Sequence, residues 1–260
     1  MSRLRAKCPD CLAYTAVALD GDYECHACGR RFGAGLVRVP RAWGDGGKGM
    51  VEAASLPLDF PEAAVIAEDS LEEQNFAVAL DLPERPVVLG GCCCSHIGAV
   101  EALAARHGRI ALLWFDAHGD LNTPETSPSG NEWGMPLRML LDSGAVRPDD
   151  VVLIGARNLD PPEEDYIASV VLGLGPQAVD RALEDTSGMY VALDFDAFAE
   201  DEVASWMPEP GGLAVGEAEA VLRSARGQKP VLGMGFSGLL RLDENLEPVS
   251  RLTAALGLGH

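Results

Sequence analysis

The sequence predicts an α/β fold, a mostly parallel sheet covered by helices on both faces, with a small cysteine-rich unit ahead of it. Three observations lead there. From about residue 36 onward, short apolar runs alternate with amphipathic stretches. The runs are continuous rather than polar at every second position, as strands buried on both faces require. Two Cys-x-x-Cys pairs are confined to the first 35 residues, where apolar content is low and no helical period runs. A length of 260 residues suits one α/β domain of ordinary size and an appendage. The 47% of hydrophobic residues can supply its core.

The unit expected over residues 1–35 rests on Cys8, Cys11, Cys25 and Cys28. Its pairs, Cys8-Pro-Asp-Cys11 and Cys25-His-Ala-Cys28, are separated by thirteen residues. Two such knuckles place four thiolates tetrahedrally around one Zn²⁺, and metal binding then supplies the folding energy that so small a segment lacks. The expectation is a structural zinc ribbon. Unmetallated thiols in a disordered tail and a rubredoxin-like iron site are its alternatives. His26, inside a knuckle, is expected to face solvent.

The body, expected over residues 36–260, follows in order. Pro40–Pro61, rich in glycine and proline, reads as loop. Strand-like runs are Pro86–Leu89, Ile110–Phe115, Val151–Ile154, Val170–Leu172, Met189–Leu193 and Val231–Gly235. Helix-like stretches are Ser95–Arg106, Pro136–Asp142, Pro162–Ser169, Val179–Glu184, Val215–Ala225 and Val249–Leu256. In such sheets ligands gather at the carboxyl ends of the strands, and two polar clusters fall there. Asp116, His118 and Asp120 follow the run IALLWF, and their alternation brings them together where the strand opens. Carboxylates with an imidazole suit Mn²⁺, Fe²⁺ or Zn²⁺. A solvated loop with an N-cap aspartate is the plain alternative. Asp194 and Asp196 end a second apolar run. Four converging carboxylates repel one another, and one or two dications remove that cost.

The charge balance narrows the function classes. Twenty basic residues stand against 40 acidic ones, a net of −20, which counts against broad binding to nucleic acid or to an anionic membrane. Residues 1–35 carry about +1, from five basic (Arg3, Arg5, Lys7, Arg30, Arg31) and four acidic residues (Asp10, Asp20, Asp22, Glu24), so the body holds about −21. No apolar run approaches the roughly 18 residues of a membrane helix. The start, MSRLRAKCPDCLAY, has no apolar h-region. Seven cysteines, three of them consecutive at 92, 93 and 94, do not fit a secreted disulfide framework. A cytoplasmic location is the expectation.

Several segments match a known pattern in order. Gly90-Gly91-Cys92-Cys93-Cys94-Ser95-His96-Ile97-Gly98 stands in place of a Gly-Gly-Asp-His-Ser segment ending in Ile-Gly. Asp116-Ala-His118-Gly-Asp120-Leu-Asn122-Thr-Pro124 fits an Asp-Ala-His-x-Asp signature. Ser129-Gly130-Asn131-Glu132-Trp133-Gly134, Ile154-Gly155-Ala156-Arg157 through Glu163, and Leu193-Asp194-Phe195-Asp196 follow. On these residues the body resembles the ureohydrolases, the arginase, agmatinase and formiminoglutamase superfamily. The resemblance implies a three-layer α/β/α sandwich, a small-molecule substrate and a homo-oligomer. It also implies two divalent metals, manganese first, with zinc, cobalt, nickel or iron as options. Asp116 and Asp194 would bridge them, His118 and Asp196 would complete one site, and Asp120 and Cys93 the other. A hydroxide bridging the metals would attack a planar carbon and expel an amine. Asn122, Ser129 and Asn131 match positions that bind the polar tail of an amino-acid substrate. Asp160 and Glu163 match carboxylates that meet its α-amino group, with helix capping as their alternative.

The departures shape the expected activity. Cys93 replaces the usual histidine ligand and biases that site toward zinc or another later metal; a small buried packing element is its alternative. Cys92 and Cys94 replace aspartate and serine. Trp133 replaces a proton-shuttling histidine, a task an indole cannot perform. The stretch Gly235-Phe236-Ser237-Gly238-Leu239-Leu240 lacks the glutamate that pairs with a guanidinium. The expected function is metal-dependent hydrolysis of a linear C–N bond in an amidine, formimino, guanidino or hydroxyguanidino derivative of an amino acid, rather than of arginine itself. Catalytic candidates are Asp120, Asn122 and His96, the last either a replacement base or a hydrogen-bonded structural histidine. His107 reads as a helix C-terminal residue, and His260 has no motif around it. The alternatives are a non-catalytic scaffold that binds partners through its ribbon, and a one-metal, deacetylase-like centre of Asp116, His118 and Asp196.

Overall fold

This computed structural model describes residues 4–259, so residues 1–3 and His260, the outer ends of the two expected units, lie outside the described residues. The first strands, β1 (Arg5–Ala6), β2 (Ala16–Leu19), β3 (Asp22–Cys25) and β4 (Arg31–Phe32), pair antiparallel in chain order. Alternation along them turns Ala6, Ala16, Tyr23, Cys25 and Phe32 inward as a small core. The knuckles bring the four sulfurs together: Cys8 Sγ lies 3.9 Å from Cys28 Sγ, and Cys11 Sγ 3.7 Å from Cys25 Sγ. All four lie within 4.8 Å of one another. A hydroxyl contact from Thr15 and backbone N–H groups pull the Cys25 thiol down to about 6. The arrangement fits a zinc ribbon. His26 is exposed.

The ribbon is tied to the body at defined points. Lys7 and Glu62 exchange two backbone hydrogen bonds, at 2.8 and 2.9 Å, as an antiparallel bridge. Arg30 reaches both Asp10 and Asp59 at 3.0 Å, with its guanidinium over the Phe32 ring. Arg85 pairs with Asp22.

The body is an eight-stranded sheet in which every neighbouring pair is parallel. Its strands are β5 (Gly35–Val39), β6 (Glu62–Val65), β7 (Pro86–Gly90), β8 (Ala111–Phe115), β9 (Val151–Ile154), β10 (Gly173–Leu174), β11 (Met189–Asp194) and β12 (Val231–Ser237). The order is β10-β9-β8-β11-β12-β7-β5-β6. Alternate residues of each strand face opposite layers. Leu113, Phe115, Val191, Leu193, Met234 and Phe236 meet α6 (Val179–Leu183), α7 (Val215–Arg226) and α8 (Leu246–Ala255) on one face. Leu112, Trp114, Leu153, Tyr190 and Ala192 meet the other layer. That layer holds α2 (Leu71–Asp81), α3 (Ile97–His107), α4 (Pro136–Asp142) and α5 (Pro161–Val170). The three-layer sandwich is therefore present. Truncating one of these central aliphatic side chains to alanine costs about 2–5 kcal/mol.

Two expectations need correction. Val170–Leu172 is not a strand. The helical period of α5, with Glu163 and Ile167 buried on one face, carries through Val170. Val171 then caps it in the left-handed region at φ 56°, Leu172 N–H donates back to Ile167 C=O, and strand β10 begins only at Gly173. Pro40–Pro61 is not all loop, since α1 (Lys48–Ala53) forms there and buries Met50 and Ala53. His107 does end α3, with Gly108 as its cap. Among the described residues, no helix is long and apolar enough to cross a membrane.

Candidate metal centre

Four adjacent central strands, β8, β11, β12 and β7, end at one place, and each supplies a side chain. Registration of Leu193 with Phe115, Asp194 with Ser237, and Phe236 with Leu89 levels these ends. Beyond β8 lie Asp116, His118 and Asp120; β11 ends on Asp194, with Asp196 just after; β12 ends on Ser237; the loop after β7 presents Cys93. Ligand atoms of Cys93, Asp116 and Asp120 lie within 4.8 Å of one another, and so do those of Asp116, His118 and Asp196. Asp116 belongs to both groups. Asp194 Oδ2 accepts from Cys93 Sγ at 2.9 Å, and Asp194 Oδ1 accepts from Asp196 N–H at 3.1 Å. All six expected metal-binding side chains line one cavity of about 40 Å³, roofed by Met50, Trp133, Trp206 and Met207.

The backbone and its neighbours fix these groups before any ligand arrives. Asp116 accepts from the His118 N–H at 2.7 Å and from the Trp114 indole at 3.2 Å. Asp196 accepts from the Ala117 N–H at 3.0 Å, and its other oxygen faces His118 Nδ1 at 3.0 Å. Asp120 holds a left-handed backbone at φ 53°, unusual for a residue with a side chain, and is 4% exposed.

The electrostatics call for positive charge. Burial, then the charges of Asp116 and Asp194, push the Asp120 carboxyl well up. Burial and Asp196 push Asp194 up to about 7; burial and Asp116 push Asp196 up to about 6. Burial with Asp194, Asp120 and Asp116 pushes the Cys93 thiol well up. His118 moves the other way in charge: burial opposes its protonation, but Asp116 and Asp196 outweigh that and hold it at about 12. The sharpest sign is Asp120 Oδ2, a buried oxygen with no hydrogen-bond partner. Such an atom costs about 1–3 kcal/mol, and a cation beside it removes that cost. The donor set therefore fits divalent metal.

Comparison with known proteins identifies the family. The family model described as "Arginase family" matches residues 49–239. The chain belongs to the arginase family. An arginase of Staphylococcus aureus (strain MRSA252) is 36% identical over 137 residues, 43% of this chain and 45% of that protein. An arginase of Bacillus subtilis (strain 168) is 30% identical over 185 residues, 61% of this chain and 62% of that protein. The chain spans about half the length of the curated relatives it matches. In structure it is similar to the native arginase of Bacillus caldovelox, with a TM-score of 0.74 and 24% identity, covering 87% of this chain and 98% of that one.

Within this arginase-family chain the other expected site residues are dispersed. Asn122 is buried outside the cavity lining, donating to Asp160 Oδ2 at 2.8 Å and accepting from Thr126 at 2.9 Å. Ser129 and Asn131 line a shallow surface groove with Trp43 and Asp45, and Asn131 Oδ1 accepts from the Asp45 N–H at 2.9 Å. Both oxygens of buried Glu163 accept backbone N–H groups, from Leu121 and from Asp160, each at 2.9 Å. His96 is fully buried outside the cavity lining and touches Tyr190 and Ser237.

Some residues around this centre escape sequence reasoning. Glu209 Oε1 lies 3.5 Å from His118 Nε2 and accepts from Asn158 at 3.0 Å. Arg157 clamps that loop by donating to the Glu209 and Pro210 carbonyls. Trp206 and Met207 line the cavity, and buried Ser237 touches Cys93 and Asp194 from outside its lining. Ser237 falls two residues beyond the apolar run Val231–Gly235 and carries no signal of its own. Gly238 beside it has φ +65°, and a Cβ there would meet Asp194 Oδ1 at 2.0 Å, so no carboxylate side chain fits at that position.

Proposed function

We propose that this chain is a metal-dependent hydrolase that cleaves a linear C–N bond in an amidine, formimino, guanidino or hydroxyguanidino compound. The observation that carries the reading is the convergence of Cys93, Asp116, His118, Asp120, Asp194 and Asp196 around the unpartnered Asp120 Oδ2. One metal would be held by Cys93, Asp116 and Asp120, the other by Asp116, His118 and Asp196, with Asp194 between them. Bound there, divalent metals polarise the substrate and lower the pKa of water toward neutrality. Asp116 and Asp194 hold the two halves together. Glu209 keeps the His118 ring turned so that Nδ1 faces Asp116 and Asp196. Trp133 and Trp206 exclude bulk water, which strengthens every charge interaction beneath them. With Gly238 at the end of β12 and no anion there, a weakly basic or neutral substrate group is favoured over arginine. Manganese, or a softer metal at the Cys93 position, fills the main site, and zinc fills the ribbon.

Glu163 holds the backbone N–H groups of Leu121 and Asp160 through its two oxygens, while Asp160 holds Asn122 through Oδ2. A homo-oligomer and a cytoplasmic setting belong to the same reading, and light scattering after size exclusion tests the first. The direct experiment is metal analysis, followed by assay of ammonia, urea or formamide release from a panel of linear amidines with Mn²⁺, Co²⁺ or Ni²⁺. More than one metal per chain and turnover abolished by Asp194→Asn support the reading. One zinc per chain with no further binding and no release overturns it. The second reading, a non-catalytic binding protein, draws on the roof itself: about 40 Å³ holds no more than a few waters, well short of an amino-acid derivative.

A further inference from the structure

We propose that Tyr190, His96 and Ser237 form a buried chain of hydrogen bonds that positions Asp194 for metal. The inference rests on the metal-centre reading above. Tyr190 Oη lies 3.0 Å from His96 Nδ1, and His96 Nε2 lies 3.2 Å from Ser237 Oγ. Ser237 Oγ donates to Asp194 Oδ2 at 3.0 Å. Tyr190, His96 and Ser237 are each 0% exposed.

The proton directions follow from the donor inventory. Ser237 has one O–H, and the metal-binding side faces it with Asp194 Oδ2 at 3.0 Å and Cys93 Sγ at 3.1 Å. Toward His96 the hydroxyl can then only accept, so His96 carries its hydrogen on Nε2. Burial pulls the His96 pKa down to about 3, so the ring is neutral and Nδ1 is an acceptor. The Tyr190 O–H must supply that acceptor. The chain thus runs from Tyr190 through His96 to Ser237, whose hydroxyl meets Asp194 and Cys93.

The space for the chain is built in. A Cβ at position 235 would meet Tyr190 Oη at 2.6 Å and His96 Nδ1 at 2.7 Å, so glycine is required there. The Trp114 ring packs edge-on against His96 at 5.6 Å and limits its rotation. The chain ends at a buried tyrosine and neither Tyr190 nor His96 lines the cavity. It is therefore no route for protons to solvent, and these are positioning residues rather than catalytic ones.

Its purpose becomes clear at Asp194 Oδ2, which accepts from Cys93 Sγ and from Ser237. Ser237 is the hydroxyl that touches both Asp194 Oδ2 and Cys93 Sγ, at 3.0 and 3.1 Å. Its own orientation is set by His96, and that of His96 by Tyr190. Partners of metal ligands that act in this way change metal affinity about 10–100-fold when removed.

The test is Mn²⁺ alone, titrated by electron paramagnetic resonance into full-length protein whose ribbon keeps its zinc. Wild type, S237A, Y190F, S237A/Y190F and S237T are compared. The expected result is a loss of about 10–100-fold for S237A, a smaller loss for Y190F, and a double variant no weaker than S237A alone. S237T, which restores the hydroxyl, recovers affinity. Nitrogen-15 spectra of the metal-free wild type should show His96 neutral with its hydrogen on Nε2. Independent, multiplying losses, or variants that match the wild type, overturn the chain alone. A wild type that takes up no Mn²⁺ overturns the metal-centre reading and the chain with it.

Discussion

Replacing Asp120 with asparagine should reverse sign between the metal-free and metal-loaded protein. The side chain is 4% exposed, its Oδ2 has no partner, and neighbouring Asp116 and Asp194 raise the cost of ionising it. Asparagine is nearly the same shape and tolerates the left-handed backbone at this position. The amide still leaves polar atoms unpaired, so only the charge repulsion is relieved, about 1 kcal/mol. For a chain of this size that raises the metal-free melting temperature by about 2–4 °C. Metal acts oppositely. At a concentration 100 times its dissociation constant it stabilises the wild type by about 2.7 kcal/mol, whereas a variant bound 100-fold more weakly gains about 0.4 kcal/mol. The wild type should then lead by about 1 kcal/mol. The assay is thermal unfolding by circular dichroism, with weak chelator and then with Mn²⁺, ribbon zinc content being held constant. If wild type and D120N keep the same order under both conditions, Asp120 is no metal ligand.

Three further outcomes are expected. Without metal, stability should fall as pH rises from about 4 through 7, because Asp194 and Asp196, raised to about 7 and about 6, bind more protons folded than unfolded in that window. Urea unfolding of chelated protein at pH 5 and pH 8 checks this, and a rising midpoint refutes it. Val171→Gly should stabilise by up to about 1 kcal/mol, since a β-branched residue at φ 56° costs about 1–2 kcal/mol and glycine returns part of that as chain entropy; calorimetry reads the shift. Gly238→Ala should destabilise by about 2 kcal/mol or more, combining φ +65° with a Cβ 2.0 Å from Asp194 Oδ1, and should weaken Mn²⁺ uptake in parallel. An alanine variant with wild-type metal affinity would show that Asp194 has room to move.

The legible parts of the molecule are those written locally. β8 and β11 are continuous apolar runs that end on aspartates, so both their burial and the place of Asp116, His118, Asp120, Asp194 and Asp196 are readable from short windows. The cysteine knuckles are local in the same sense. The edge strand β6, Glu-Ala-Ala-Val, has too little apolar weight to announce itself. Val170 and Val171 favour strand by composition, yet the preceding helix continues because Ile167 buries its face. The chain Tyr190, His96, Ser237 joins residues up to 141 positions apart and exists only once three strands are in register. Glu209 reaches His118 from an irregular loop held by Arg157, and no periodicity marks it.

The bridge between Lys7 and Glu62 has a bearing on how the protein fares when zinc is scarce. At the far end of the large sheet, β10 is only two residues long and offers little to a passing chain. At the near end, β6 is longer and carries an exposed Val65, and the ribbon shields it through that single exchange of backbone hydrogen bonds. A ribbon that depends on metal to fold makes this shield conditional. Zinc bound at least 65 residues before the first metal-centre ligand, Cys28 against Cys93, would thus act as a solubility guard, and its loss would show first as strand-to-strand clumping of otherwise folded molecules.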